Sequence, residues 1–156
     1  PKQEGRILQA LALTPDSRVL EVGTGSGYLT ACLATLAGWI TSVDIHEDLL
    51  VLAQERLEAA GLDERISLLC GDAAAGWEGG EQFDAIAVTG SLPELHQGFH
   101  RALAPGGRLF VVVGDGPIME GLLITRVGDD QWSTESLLDT FLPPLHNAPV
   151  TRRFAL

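Results

Sequence analysis

A glycine-rich loop and a carboxylate stand together in the stretch VLEVGTGSGYL at positions 19–29. The glycines are Gly23, Gly25 and Gly27, and Glu21 precedes the first of them by two residues. A glycine loop between a strand and a helix lets a ligand approach the backbone closely, and it exposes the unpaired N–H groups of the helix N-terminus. The stretch therefore predicts a binding site for a nucleotide-like cofactor.

The spacing of the glycines narrows the choice of cofactor. The dinucleotide fingerprint GxGxxG would place its third glycine at position 28, which is Tyr28. A triphosphate-binding P-loop needs Gly-Lys-Ser/Thr, and no lysine lies near this loop. The carboxylate of Glu21 favours a cationic ligand. S-adenosylmethionine carries a sulfonium and an ammonium group and no phosphate, so the loop favours this cofactor.

Two further acids end the next predicted strands. Asp44 lies about 20 residues beyond the loop, where an acid can accept hydrogen bonds from the ribose hydroxyls of an adenosyl or a dinucleotide cofactor. Asp72 follows the third strand and can meet an adenine amino group. Taken singly, each acid has a structural alternative, because Glu21 can cap a helix and the aspartates can terminate strands. Their occurrence at three successive strand ends favours the cofactor site.

The order of apolar segments predicts how the chain positions these acids. Predicted helices cover residues 2–13, 28–37, 47–60 and 93–103, and predicted strands cover residues 18–22, 40–44, 66–69, 83–88, 108–113, 120–127 and 132–142. Alternating strands and helices indicate an α/β fold with a mostly parallel sheet and helices on both faces. The link at residues 128–131 is too short for a parallel crossover, so the last two strands are predicted to be antiparallel.

The composition limits the class of protein. With 156 residues and 46% hydrophobic residues, the chain is expected to form a single domain, residues 1–156. The formal charge of −11 and the lack of a basic cluster beyond Arg152-Arg153 argue against nucleic-acid binding. No apolar run reaches the roughly 20 residues of a membrane span, so no membrane partner is expected. Cys32 and Cys70 show no CxxC spacing and are predicted to be buried free thiols, as in a cytoplasmic protein.

Four segments resemble one known family. VLEVGTGSGYLTACLA is similar to the first motif of class I S-adenosylmethionine-dependent methyltransferases, and in particular to the protein-L-isoaspartate O-methyltransferase family. GDAAAGW, FDAIAVTGSLPEL and LAPGGRLFVVVG resemble later segments of the same family. The resemblance implies a Rossmann-like, doubly wound, seven-stranded sheet with an antiparallel C-terminal hairpin and a reversed final strand. It also implies an enzyme that uses S-adenosyl-L-methionine and releases S-adenosyl-L-homocysteine.

The resemblance also implies a set of site residues. Thr89 and Gly90 would lie near the transferred methyl group. The residues that it assigns to the cofactor are Glu21, Gly23, Thr24, Gly25, Gly27, Asp44, Ile45, Asp72 and Ala73.

The chain departs from the family pattern at three places. Ala74 stands where the family usually has arginine, and residues 90–92 replace an alanine-rich substrate loop. Family members carry a hydroxyl residue just before a proline that Pro1 matches, so the catalytic hydroxyl is expected upstream of a chain that lacks its N-terminal part.

The expected reaction needs no acid–base group. Methylation of an isoaspartyl carboxylate uses a nucleophile that is already ionised, and the four histidines form no acid–base constellation. His46 is predicted to be solvated, and His96 and His100 to share an exposed helix face without a third metal ligand, so no metal is expected. His146 is the best candidate base for a phenol or amine acceptor. The expected partner is an isoaspartyl protein or peptide. The alternatives are a small-molecule acceptor and a non-catalytic fragment that binds adenosyl ligands.

Overall fold

The computed structural model describes residues 2–150, which form a seven-stranded sheet with helices packed against it. The strands are β1 (Arg18–Val22), β2 (Trp39–Asp44), β3 (Ile66–Cys70), β4 (Phe83–Leu92), β5 (Leu103–Val113), β6 (Met119–Gly128) and β7 (Gln131–Thr140). The helices are α1 (Lys2–Leu11), α2 (Tyr28–Leu36) and α3 (Glu47–Ala59), with short 3₁₀ turns at Asp63–Arg65 and His100–Ala102. No helix among residues 2–150 has the length and apolar character needed to cross a bilayer.

The strand order β3-β2-β1-β4-β5-β6-β7 creates a crevice between β1 and β4. The chain winds outward from β1 through β2 to β3, and it then returns to place β4 on the other side of β1. The connections that leave β1 and β4 therefore diverge above the carboxyl ends of these two strands. In open α/β sheets this is the place where ligands bind.

The sheet buries apolar side chains on both faces. Leu20 and Ile86 are fully buried on one face, and their neighbours Val19 and Ala85 are fully buried on the other, as the two-residue repeat of a strand requires. Side chains of α1 and α2 pack on the face that contains Val19. Continuous apolar strands of this kind are typical of parallel sheets that are covered on both sides.

The predicted C-terminal hairpin is confirmed, but the reversed strand is not the last one. β6 pairs antiparallel with both β5 and β7, so β7 runs in the same direction as β1 to β5. Residues 105–107 lie inside β5, where Gly106 has a φ of 77° and the pairing with β4 shifts register. Burial of the cysteines was also predicted wrongly, since Cys70 is exposed and Cys32 partly exposed, although both are free thiols.

The helix predicted over residues 93–103 does not form. His96 accepts a hydrogen bond on Nδ1 from the backbone N–H of Gly98 (3.0 Å), so its Nε2 donates to the carbonyl of Ala74 (2.9 Å). Gly98 also packs so closely against the backbone of Ala75 that any side chain there would collide with it. These long-range contacts hold the segment in turns, and Phe99 and Ala102 cover the apolar face of the sheet opposite α1.

His100 is consequently a core residue rather than a surface one. It is only 4% exposed, its ring packs edge-on against Trp132 with the centroids 5.4 Å apart, and its Nδ1 has no hydrogen-bond partner within the described chain. Burial lowers the pKa of His100, and the charge of His96 lowers this pKa further.

We expect His100 to make the fold sensitive to acid. Because the unfolded chain binds the His100 proton more tightly than the folded protein, the stability due to this residue is present above pH about 6.5 and is lost below it. Urea unfolding at a series of pH values should show a weaker loss of stability on acidification in His100→Phe than in the wild type. The exposed His46→Gln serves as the control, and equal pH dependence in all three proteins would contradict the account.

Candidate active site

The glycine loop between β1 and α2 has a backbone that only glycine adopts easily. Gly23, Gly25 and Gly27 have φ values of 99°, 52° and 85°, all in the left-handed region. A Cβ on Gly23 would collide with the hydroxyl of Thr89, and a Cβ on Gly27 would lie 3.2 Å from the Cβ of Ala53. Gly25 faces open space. The loop is therefore pressed against β4 and α3 at its two ends and open in the middle.

Glu21 lies fully buried beneath this loop with half of its carboxyl group unused. Its Oε1 accepts hydrogen bonds from the hydroxyls of Thr30 and Ser42, the latter at 2.6 Å. Because the single proton of Ser42 is committed to Glu21, the hydroxyl of Thr24 donates to Ser42 (2.6 Å) and ties the loop to the carboxyl group. Oε2 is buried and has no hydrogen-bond partner among the described residues. A buried carboxylate oxygen without a partner is costly, so this atom is suited to a ligand that donates to it.

Burial changes the charge that the sequence implied for Glu21. It raises the pKa of Glu21 from 4.5 to about 7, the hydrogen bonds from Ser42 and Thr30 oppose this rise, and the nearby charge of Asp44 adds to it. The ligand-free site is thus close to half protonated at neutral pH. A cationic group beside Oε2 would favour the ionised form, so binding of a cation should expel the proton.

Asp44 connects the loop to the start of α3. Its Oδ2 accepts the backbone N–H of Gly25 (3.0 Å), and its Oδ1 accepts the backbone N–H of His46 (2.9 Å). Only 8% of Asp44 is exposed. Each carboxylate oxygen can accept more than one hydrogen bond, so two backbone groups orient the side chain and a further lone pair on each oxygen is left for a ligand.

Asp72 is held in a similar way at the end of β3. Its Oδ1 accepts the backbone N–H of Ala74 (3.0 Å), and its Oδ2 accepts the side-chain amide of Asn147 (2.9 Å). These two hydrogen bonds lower the pKa of Asp72, with the backbone bond contributing more. Asp72 is therefore a carboxylate at neutral pH.

Two cavities lie on either side of Gly23 and Thr89, which line both. The aspartate cavity contains Asp44 and Asp72 and has a volume of about 170 Å³. The glutamate cavity contains Glu21 and has a volume of about 600 Å³. An elongated ligand that crosses Gly23 can reach Glu21 with one end and Asp44 with the other.

The structure brings most of the predicted site residues into these cavities. Those that line the glutamate cavity are Glu21, Gly23, Thr24, Gly25 and Thr89, and those that line the aspartate cavity are Gly23, Asp44, Ile45, Asp72, Ala73, Thr89 and Gly90. Gly27 lines neither cavity and instead serves the contact of the loop with α3.

Sequence reasoning missed two parts of the site. The first is the pair Ser42 and Thr30, which hold Glu21. A polar residue in the middle of the apolar segment 40–44 was a usable signal for Ser42, since β2 pairs with β1 and brings Ser42 beside Glu21. The second is the hydrogen bond from Asn147 to Asp72. Asn147 ends the segment of residues 143–147, which we call the strap. Residues 143–146 of the strap line the aspartate cavity, so His146, the candidate base, lies at the site.

A comparison with known protein families tests the family resemblance that the sequence motifs indicate. A family model described as Protein-L-isoaspartate(D-aspartate) O-methyltransferase (PCMT) matches residues 1–147. The chain belongs to this family. The similarity covers both cavities and all but the last residues of the chain, so the resemblance seen in the loop and strand motifs is confirmed.

Curated members of the protein-L-isoaspartate O-methyltransferase family are similar in sequence to this chain over most of its length. Protein-L-isoaspartate O-methyltransferase 1 of Anaeromyxobacter sp. (strain Fw109-5) is 40% identical over 145 residues, which are 93% of this chain and 66% of the relative. Protein-L-isoaspartate O-methyltransferase 2 of Pelobacter propionicus is 36% identical, over 91% of this chain and 63% of the relative. The chain therefore spans slightly less than two thirds of the length of these relatives.

Solved structures of the family share the fold. One protein-L-isoaspartate O-methyltransferase superposes with a TM-score of 0.83 at 23% identity, over 94% of this chain and 47% of that chain. The Plasmodium falciparum member, solved in complex with S-adenosyl-L-homocysteine, gives a TM-score of 0.76 at 23% identity, over 93% of this chain and 73% of that chain. These values confirm the Rossmann-like methyltransferase fold.

Proposed function

We propose that the protein transfers a methyl group from S-adenosyl-L-methionine to the carboxylate of L-isoaspartyl residues in damaged proteins or peptides. The observation that carries the proposal is the buried, unpartnered Oε2 of Glu21 at the glutamate cavity, next to the cavity that contains Asp44 and Asp72. Membership of the protein-L-isoaspartate O-methyltransferase family supports the same activity. On this proposal residues 1–156 belong to one methyltransferase domain, and a cytoplasmic location stays a prediction.

The residues around the two cavities fit S-adenosylmethionine. Among residues 3–150, no basic lysine or arginine side chain lines either cavity, so none of these residues would neutralise a phosphate group. Glu21 offers a buried acceptor for the ammonium group, Asp44 offers two oriented oxygens for the ribose hydroxyls, and Asp72 offers an acceptor for an adenine amino group. Ile45 and Ala73 provide apolar surface in the same cavity as the two aspartates.

The protein's task in the proposed reaction is to orient two reactants. When bound, the cofactor supplies a methyl group activated by a sulfonium. The hydroxyl of Thr89 donates a hydrogen bond that is shared between the carbonyl oxygens of Val22 (2.9 Å) and Gly23 (2.7 Å). This contact holds the loop in place where the two cavities meet. Alignment of two reactants can contribute about 7–11 kcal/mol to catalysis. An ionised carboxylate acceptor needs no general base, and on this proposal none of the residues around the two cavities acts as one.

A second candidate acceptor is a small molecule. His146 lines the aspartate cavity and its ring lies 5.5 Å from that of His46, so a phenol or amine that reached this position would meet a base. The two acceptors are separated by incubating the protein with labelled cofactor and an isoaspartyl peptide beside its aspartyl twin. Label in the isoaspartyl peptide alone supports the proposal, and label in neither peptide contradicts it.

Replacing Asp44 by Asn should weaken the binding of S-adenosylhomocysteine. The amide leaves the N–H of Gly25 or of His46 without its acceptor and removes one oxygen from the ribose, and such losses cost about 1–3 kcal/mol, or roughly 5- to 150-fold in Kd. Isothermal titration calorimetry measures the change. The matched control is Asp48→Asn, an exposed aspartate on α3 outside both cavities. Equal affinity of Asp44→Asn and the wild type would remove the ribose assignment.

A further inference from the structure

The strap is firmly seated at its β4 end. The N–H of Ser91 donates to the carbonyl of Pro143 (2.9 Å), and the N–H of Leu145 donates to the carbonyl of Ser91 (3.0 Å). Ser91 is fully buried, so water does not compete for these two hydrogen bonds. Leu145 also fills the space above Gly90, where any Cβ would collide with it. The lack of a side chain at Gly90 thus makes room for the strap.

The opposite end of the strap is held much more weakly. One hydrogen bond joins the side-chain amide of Asn147 to Oδ2 of Asp72 (2.9 Å), and both residues are exposed. The exposed ring of His146 also packs edge-on against the exposed ring of His46, and beyond the strap Ala148 packs against the hydrophobic core. A hydrogen bond between exposed groups contributes little, because water replaces it readily.

With the strap in this position, the aspartate cavity is the smaller of the two. Its volume is about 170 Å³, against about 600 Å³ for the glutamate cavity. Pro143 and Pro144 have fixed φ angles, so the strap is stiff in its first half and can swing as a unit about its seat at Ser91. Separation of the weak end alone would widen the aspartate cavity.

We propose that the strap is a gate over the aspartate cavity and that the hydrogen bond between Asn147 and Asp72 is its latch. The identity of the gated ligand rests on the proposed function, since the nucleoside half of S-adenosylmethionine or S-adenosylhomocysteine is the group that would pass. The latch closes the gate both before and after binding. Loss of the latch therefore speeds both the entry and the exit of the ligand. The dissociation constant changes by a smaller factor than either rate constant.

The test uses Asn147→Asp and Asn147→Gly. Asn147 has a φ of 64°, a conformation that aspartate tolerates and glycine adopts freely, so neither change strains the backbone and both remove the donor. Surface plasmon resonance with S-adenosylhomocysteine should show association and dissociation rate constants that both rise, by about 3- to 10-fold, which is the value of one exposed hydrogen bond. The control is Val150→Ala, an exposed position three residues beyond the latch.

A second measurement needs no ligand. Hydrogen exchange of a peptide that covers residues 142–150 should be faster in both Asn147 variants than in the wild type and in Val150→Ala. Unchanged hydrogen exchange overturns the gate, because Asn147 would then not hold the strap in place. A rise of the dissociation rate constant alone, with an equal loss of affinity, also overturns it, because Asn147 would then be a direct ligand contact. If the wild type fails to bind S-adenosylhomocysteine while the exchange still responds, the proposed function fails and the latch stands.

Discussion

Replacing Glu21 by Gln should remove about 3 kcal/mol of pH dependence from the free energy of unfolding of the ligand-free protein. The pKa of Glu21 is about 7 in the folded protein against 4.5 as its ordinary value, so the folded state holds the proton more tightly than the unfolded chain. The stability that this proton confers is complete below pH 4.5 and is lost as the pH rises through about 7. The variant should therefore gain on the wild type as the pH rises.

Urea unfolding at pH 4.5, 6, 7 and 8 measures this difference. Glutamine keeps the acceptor for Ser42 and Thr30 and presents an uncharged amide where Oε2 lies, so the fold should be retained. The matched control is Glu135→Gln on the exposed part of β7. His100 changes the free energy of unfolding in the opposite direction over the same pH range. The difference in this free energy between variant and wild type is therefore compared, since the contribution of His100 cancels. A difference that does not change with pH would show that folding does not raise the pKa of Glu21.

Gly23→Ala should lower the free energy of unfolding by about 2–6 kcal/mol and abolish binding of the cofactor. Its φ of 99° is strained for any residue with a Cβ, and the added atom would collide with the hydroxyl of Thr89. Relief of that collision would push the loop off β4 at the point that both cavities share. Denaturant unfolding and calorimetry with S-adenosylhomocysteine measure the two effects.

Two controls separate strain from collision. Gly25→Ala has a positive φ of 52° but open space around the new Cβ, so it should show the strain alone. In the double variant Gly23→Ala/Thr89→Ala the hydroxyl is gone, and part of the lost stability should return. A Gly23→Ala protein as stable as the wild type would contradict the close packing of the loop on β4.

The elements around the site were predictable because their signals are local. The bounds of β1 match the prediction, since a short apolar run that ends in a glycine loop leaves little choice of conformation. The acids at the ends of β1 and β2 followed from the same runs, and parallel pairing of these strands brings them to one edge of the sheet. Local patterns therefore fixed the position of the candidate site.

The features that were missed depend on contacts between distant residues. Residues 93–103 have the apolar spacing of a helix, but His96 and Gly98 bind a segment more than 20 residues earlier, and tertiary contacts override the local preference. The strap reaches Asp72 from Asn147, 75 residues away. The near-neutral pKa of Glu21 depends on complete burial, which only the assembled sheet and loop create.

The central claim is that Glu21 ionises to receive a cationic cofactor, and proton release on binding tests it most directly. Calorimetric titration of S-adenosylmethionine at pH 6.5, in two buffers with different ionisation enthalpies, should show that the wild type releases most of one proton, because Glu21 has a pKa of about 7 before binding. Glu21→Gln should bind more weakly and release none. Tight binding without proton release, or NADH binding in preference to S-adenosylmethionine, would contradict the account.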